Sequence, residues 1–596
     1  MYSICRIAAV SPELKVADPF CNIQIMEENY LAAVREGAAL VLFPAMAITG
    51  KSCGVLFKQP YLLKSALAAA EKFASCTTDT TAVFGLPRMI NGKLFECAAV
   101  AKNGKITAFV INNTPDIAGF SSETPCGGNI LPAGTVFDGN FTFSVNFSTR
   151  NQADTGAQAE LFLLAEAELP GLWQRRKNFA AARSAESGCA LFIANAGCGE
   201  STTDQLYGGA LIAACNGVIT ACRPSPAPEA GMIFSDIDLE KIDFARSGKH
   251  FPDVETVKTE PMPEAENFKY LYNPRAPFLP ENVHEFCKES FALQCIGVYQ
   301  RFKRCGAKKF VLGISGGLDS TLALVVLAMV CRENNLPADT VLAVTMPGFG
   351  TTGRTKNNAL RLAEVIGAEI REISIADACR QHFADLEHDI SVTNSVYENS
   401  QARERTQILM DLANKVNGIV IGTGDLSEIA LGWSTFNGDQ MAMYAVNSSI
   451  PKTNIAPMLM FASKVLKGTE EILQDVIDTP VSPELLPLDE NGEIAQKTEA
   501  ILGAYELHDY YLWQISNGVS EPEKLLALAE DAFKGAYPVE ELIRVRDLFL
   551  RRFFTQQFKR TAAPDGIQAG AVSLSARTAW QMPADVAGEL WKANRK

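Results

Sequence analysis

One six-residue stretch, Ser315-Gly316-Gly317-Leu318-Asp319-Ser320, constrains this chain more than any other. It follows a short apolar run at 310–314, itself preceded by Lys308 and Lys309, and opens a helix-like run at 321–331. Strand, glycine-rich turn and helix start together make a cradle for phosphate. The two glycines let backbone approach phosphate oxygens, and the N–H groups of the turn and first helical turn point at the anion. The common phosphate loop carries a Lys before its Ser or Thr. Here Asp319 stands in that place, and an acid beside a polyphosphate makes chemical sense if it holds Mg²⁺.

The 596 residues are enough for two or three domains, each with a full core. A net charge of −14 argues against nucleic-acid and anionic-membrane partners. The longest apolar run, 322–331, is too short to cross a bilayer. No basic stretch followed by an apolar one opens the chain, so no secretory signal is expected. The 15 cysteines are odd in number and include no C-x-x-C pair, which suits reduced thiols in the cytoplasm.

Residues 247–281 are rich in Pro and charge and are expected to form a linker or a surface strap between domains spanning 1–246 and 282–596. Before it, strand-like runs at 38–43 and 82–86 alternate with helical runs such as 61–74. After it, strand-like runs at 310–314, 340–345 and 418–421 alternate with longer helical patterns. Such alternation predicts parallel sheets covered by helices, an α/β fold in both halves.

In the second half, Gly422-Thr423-Gly424-Asp425-Leu426-Ser427-Glu428 follows the strand at 419–421. That is the carboxyl end of a strand, where open α/β sheets bind ligands. Glu428 is placed to give a second carboxylate to a metal at Asp319. Lys452, in Pro451-Lys452-Thr453, is a compact cation suited to a leaving pyrophosphate. The segment Met346-Pro347-Gly348-Phe349-Gly350-Thr351-Thr352 forms a neighbouring loop.

The 315–320 loop resembles that of the ATP pyrophosphatases, which cut ATP between its α and β phosphates. More specifically, several segments resemble the bacterial glutamine-dependent NAD(+) synthetases. They are 422–428, Trp433-Ser434-Thr435-Phe436-Asn437-Gly438-Asp439, 451–453, 478–485, Tyr505-Glu506-Leu507-His508-Asp509 and Gln557-Phe558-Lys559-Arg560. The resemblance implies a parallel α/β ATP pyrophosphatase domain of the adenine nucleotide alpha hydrolase kind. It adenylates deamido-NAD, and ammonia then displaces AMP. Ser315, Gly316, Gly317, Asp319, Ser320 and Thr423 match ATP contacts, Asp319 and Glu428 the Mg²⁺ ligands, and Lys452 a phosphate contact.

The first half resembles the same family's nitrilase-type glutaminase, an αββα sandwich. The matching stretches are 2–10, Phe43-Pro44 with Thr49-Gly50, Gly85-Leu86-Pro87, and Gly199-Glu200-Ser201-Thr202-Thr203-Asp204. Its chemistry, however, is missing. Where the family has a Glu base after Phe-Pro this chain has Ala45, where it has a Lys this chain has Asn112, and Ser148 stands at the place of the Cys nucleophile. No His precedes His250, so no Ser-His pair is expected within residues 1–246. Cys97, Cys189 and Cys198 remain, with the isolated spacing of buried thiols. Near the C-terminus, Pro564-Asp565-Gly566-Ile567-Gln568-Ala569-Gly570 and Ser575-Ala576-Arg577-Thr578-Ala579-Trp580-Gln581 carry neutral residues where the family has a Lys, an acid and an Arg.

The expectation is therefore an ammonia-using NAD synthetase with ATP and Mg²⁺, an inactive first domain kept as scaffold, and a homo-oligomer. A nucleotide-binding pseudoenzyme or regulator and a ligase for another adenylated acid stay open as alternatives. A separate glutaminase stays open as a partner.

Overall fold

The computed structural model describes residues 2–115, 119–123, 125, 128–149, 154–203, 205–350, 353–479 and 501–592. It divides into two units, Met1–Tyr272 and Asn273–Lys596.

The first unit contains two seven-stranded sheets. One runs, edge to edge, through Gly231–Asp238, Ile4–Ser11, Leu40–Leu42, Thr81–Ile90, Lys93–Lys102, Lys105–Ile111 and Ile130–Pro132. The other runs through Val218–Arg223, Leu211–Cys215, Ala190–Asn195, Ala159–Leu164, Thr142–Asn146, Val136–Asp138 and Thr256–Lys258. Their central strands are buried on both faces, and the alternation of side chains sorts them into layers. Ile7 and Ala9 join Leu161 and Leu163 in one core between the sheets. Ala8 and Val10 turn the other way, toward Met26, Tyr30 and Phe73 of the helices Pro19–Arg35 and Pro60–Ser75. Phe162 and Leu164 face Ala180 of the helix Leu172–Ser187. The result is the αββα sandwich expected from the sequence.

The strap residues divide between the units. Thr256–Lys258 adds a parallel edge strand beside Val136–Asp138, and Met262 is buried in the sandwich core. Phe278 is buried against Trp513 in the second unit and accepts a hydrogen bond from Asn454 Nδ2 (3.1 Å).

The second unit has one sheet, all parallel, in the order Glu369–Glu372, Val341–Thr345, Lys309–Gly313, Gly418–Gly422 and Tyr444–Ala445. The chain starts in the middle strand, moves outward one way, then returns to the other side. A crevice therefore opens between the carboxyl ends of Lys309–Gly313 and Gly418–Gly422, the switch point where such sheets bind ligands. Phe310 and Leu312 pack against the helices Val283–Cys305, Leu318–Glu333 and Lys452–Val465, while Val311 packs against Ala376–Asp385 and Ser395–Val416. Leu318–Glu333 is apolar nearly all round because neighbours cover it on every side. Among the described residues, no helix is long and apolar enough to cross a membrane.

One close approach in the first unit governs a loop of interest. A Cβ on Gly85 would lie 2.2 Å from Met46 N and 2.5 Å from the Ala45 Cα. Gly85 also donates to the carbonyl of Pro44 and accepts from Ile48 N. Glycine thus lets the 44–48 turn lie flat on its strand. Gly85→Ala is expected to destabilise the protein by about 1–3 kcal/mol, the usual cost of overpacking. Urea unfolding followed by tryptophan fluorescence and circular dichroism measures it, and an unchanged midpoint would contradict this account.

Candidate active site

Three helices begin at the crevice of the second unit. Leu318–Glu333 has Gly317 at its N-cap and no side chain capping it, so its first N–H groups remain for an anion. Gly316 takes the turn at φ +87°, a conformation suited to glycine. Within the loop, Ser315 N donates to Ser320 Oγ (3.3 Å) and Gly317 N to Ser315 Oγ (3.2 Å). The helix Leu426–Leu431 is capped by Asp425, whose Oδ1 accepts from Glu428 N (2.8 Å). The helix Lys452–Val465 starts at Lys452 itself.

These starts bring four charged groups to one point. Lys452 Nζ lies 2.7 Å from Asp319 Oδ2, 2.7 Å from Asp425 Oδ2 and 2.9 Å from Glu428 Oε1. The Tyr505 ring lies 5.2 Å away on another side of the ammonium. The Lys452 and Asp425 side chains are 5% and 0% exposed, while those of Asp319 and Glu428 are 21% and 23% exposed and form the rim. The structure thus brings together Asp319, Glu428 and Lys452, which the sequence singled out. Thr423 sits beside them at the strand end, and Asn447 Nδ2 donates to the carbonyls of Asp319 (2.9 Å) and Thr423 (3.0 Å), tying the two loops.

Burial opposes the charged forms of Asp425, Glu428 and Lys452. It pushes Asp425 well above the usual carboxylate range, the neighbouring acids add to this, and Lys452 opposes it. Burial likewise raises Glu428 to about 7. Burial lowers Lys452, but the three carboxylates outweigh it and hold its pKa well above the ordinary value. Three carboxylates against one ammonium leave a formal charge of −2. Asp319 Oδ1 and Asp425 Oδ2 are buried without a hydrogen bond among the described residues, since Lys452 Nζ donates to Asp319 Oδ2 and Glu428 Oε1. Oxygen-only donors, an excess of two negative charges and an orphaned carboxylate oxygen fit a hard divalent cation.

The surroundings fix this arrangement. Asp509, in the helix Tyr505–Ser516, accepts from Ser427 Oγ, from Thr453 N (3.1 Å) and from Thr453 Oγ1 (2.7 Å). Ser427 Oγ in turn accepts from Lys452 N (2.8 Å). At the far end of Leu426–Leu431, Arg552, Lys559 and Arg560 donate to carbonyls of Leu431 (2.9 Å), Gly432 (2.7 Å) and Ala430 (2.7 Å), as cations do at helix C-termini. The C-terminal tail runs beside the short strand Tyr444–Ala445. Gly566 bridges Ala445, and Ser449 Oγ accepts from Ala569 N (2.7 Å).

The family described as NAD synthase matches residues 292–543, which contain all four charged groups. A glutamine-dependent NAD(+) synthetase of Mycobacterium tuberculosis is 30% identical over 99% of this chain and 97% of its own length. The chain belongs to the glutamine-dependent NAD(+) synthetases. The Mycobacterium leprae synthetase is 29% identical over 98% of this chain and 97% of its own length. A solved glutamine-dependent NAD(+) synthetase from Cytophaga hutchinsonii is 17% identical with a TM-score of 0.43, covering 99% of both chains.

In the first unit of this NAD(+) synthetase chain, the residues singled out from the sequence lie on both sheets. Ala45 and Asn112 are buried beyond two strands of one sheet, and Ser148 is half-buried beyond a strand of the other. Asn112 Nδ2 donates to Glu96 Oε2 (2.7 Å), so Glu96, a buried acid the sequence did not flag, has an uncharged partner there. Burial pushes the Cys97, Cys189 and Cys198 thiols upward, away from the reactive thiolate. Glu200 accepts from Lys51 N (2.6 Å) and Ser52 N (2.9 Å), holding a loop in place. Asp204 and most of the 478–485 motif lie outside the described residues.

Asp425, to which the sequence analysis gave no role, carries a local pattern, Asp followed three residues later by Glu, that fits a helix cap. It is a cap, but its second oxygen faces Lys452.

Glu428 gives a pH test. A carboxyl raised on folding binds more protons in the folded than in the unfolded state between pH 4.5 and about 7. Its contribution to stability therefore falls as pH rises through that window. In metal-free protein, the stability of Glu428→Gln relative to wild type should grow across it by on the order of 1 kcal/mol per pH unit, then level off. Urea unfolding at a series of pH values reads this difference. A difference independent of pH would show that Glu428 is not perturbed.

Proposed function

We propose that the second unit makes NAD from deamido-NAD, ATP and ammonia through an acyl-adenylate. The observation that carries this reading is the Asp319–Asp425–Glu428–Lys452 cluster beside an uncapped helix start, within the segment matched by the NAD synthase family.

A carboxylate is a poor electrophile. In the proposed sequence, an oxygen of the nicotinate carboxylate attacks the α-phosphorus of ATP and pyrophosphate leaves. Ammonia then attacks the acyl carbon, AMP leaves with the shared oxygen, and one proton is released. The 315–320 loop offers N–H groups to the phosphates, and Ser315 and Ser320 set its shape. Lys452 offers a mobile positive charge to the departing pyrophosphate. Asp319 and Glu428 would hold Mg²⁺, which when bound supplies charge neutralisation at the polyphosphate.

Our reading of the nitrogen source is supported by the first unit. Ala45 cannot take a proton, Asn112 carries no charge, and the thiols Cys97, Cys189 and Cys198 are held protonated. We read this unit as a folded scaffold without glutaminase chemistry, with ammonia arriving free in solution.

Asp319→Ala and Glu428→Ala should each lower AMP and pyrophosphate formation by more than the roughly 10²–10³-fold typical of losing one charge-stabilising group. Circular dichroism should stay unchanged. With deamido-NAD labelled by ¹⁸O in its carboxylate, one labelled oxygen should appear in AMP. Near-normal pyrophosphate release from Asp319→Ala, or unlabelled AMP, would contradict the proposal.

A further inference from the structure

Asp425 lies at the floor of the charged cluster and is the one acid with no exposed side-chain surface. One of its oxygens is occupied by the N–H of Glu428 at 2.8 Å. The other lies 2.7 Å from Lys452 Nζ. Asp319 and Glu428 sit at the rim, where an ion carrying its own waters and a polyphosphate could reach them. They accept hydrogen bonds from the same ammonium, at 2.7 and 2.9 Å, whereas Asp425 Oδ2 meets it as an ion pair without an aligned hydrogen bond, and Asp319 Oδ1 has no donor among the described residues. Lys452 is therefore shared between a floor acid and two rim acids.

We propose that Asp425 is a positioning residue, which draws the Lys452 ammonium toward the floor and leaves Asp319 and Glu428 free to bind a divalent cation. The inference rests on the assignment of Asp319 and Glu428 as metal ligands made above. The charges support it. With all four groups counted in their ordinary charged forms, Asp425 and Lys452 cancel, which leaves two rim carboxylates for one divalent cation. Without Asp425, Lys452 would pair with the rim acids alone and occupy the place of the ion. The rigidity of Asp425 supports it too. Its helix-capping bond fixes the carboxylate, and the Ser427–Asp509–Thr453 bonds fix the start of the helix that carries Lys452. The side chain of Lys452 is then the movable part.

The test is Mn²⁺ binding to the full-length protein without nucleotide, measured by electron paramagnetic resonance. Asp425→Asn keeps the helix cap, because an amide oxygen also accepts from Glu428 N, but removes the charge. It should weaken Mn²⁺ binding roughly tenfold, since Lys452 then competes undivided for the rim acids. Lys452→Met should tighten binding several-fold by the same reasoning. The double variant should return to within about threefold of wild type, because the competitor and its anchor are both gone.

Unchanged binding in Asp425→Asn would reduce Asp425 to a helix cap and overturn the proposal. Weakened binding that Lys452→Met does not restore would make Asp425 a metal ligand and overturn it as well. Should Asp425→Asn fail to fold, Lys452→Met decides alone: unchanged or weaker binding sinks the idea. Failure of the wild type to bind Mn²⁺ would sink the metal assignment itself, whereas the variant outcomes bear only on Asp425.

Discussion

The structure of the second unit depends on holding three carboxylates around one buried ammonium. Two like charges about 4 Å apart repel by roughly 4 kcal/mol at an effective dielectric of 20. Three acids would not stay together there without positive charge. Lys452 supplies a full charge, and the starts of three helices supply partial ones. The strand order explains why they meet. Because the chain starts in the middle of the sheet, the loops after Lys309–Gly313 and Gly418–Gly422 become neighbours although about a hundred residues separate them. Asn447, Ser427 and Asp509 then fasten the loops by hydrogen bonds. Arg552, Lys559 and Arg560 close the opposite end of the short helix that carries Glu428.

The two units show the same constraint kept and released. A sandwich needs buried faces that stay apolar, and the first unit has kept them: Ile7 and Leu161 meet between the sheets, and Ala8 and Phe162 meet helices outside. The turn carrying Ala45 is also kept, pinned by Gly85. At the three positions where the family resemblance expects a Glu, a Lys and a Cys, this chain has Ala45, Asn112 and Ser148. A buried Ala or Asn is easier to accommodate than a buried acid or Lys that has no reaction to perform. In the second unit, the charges that the proposed chemistry would need are present and gathered around Lys452.

The sequence made the second unit legible where signals are local. The glycine-rich turn, the strands around it and the order of Glu428 and Lys452 after it all depend on nearby residues. Asp509 and Asn447 were not legible as members of the site, because their partners Ser427 and Asp319 lie far away in the chain. Asp425 was hidden by its own local role as a cap. Residues 247–281 read as a linker or strap because Pro and charge dominate them. A three-residue edge strand at Thr256–Lys258 and a single buried Met262 leave almost no periodic trace. In the first half, the motif anchor Phe43-Pro44 put Ala45 where the family resemblance expects a Glu. The partner of Asn112, Glu96, emerged only once the strands were paired.

The central claim is that a working amidation site has been joined to a sandwich that no longer frees ammonia. The most direct measurement is the origin of the amide nitrogen in the product. Full-length protein would be supplied with ATP, deamido-NAD, glutamine labelled with ¹⁵N in its amide, and unlabelled ammonium, and the NAD examined by mass spectrometry. This account predicts NAD carrying unlabelled amide nitrogen, with the labelled glutamine intact. NAD enriched in ¹⁵N, with glutamate appearing in step, would contradict it and show that the first unit still hydrolyses glutamine by groups other than those lost.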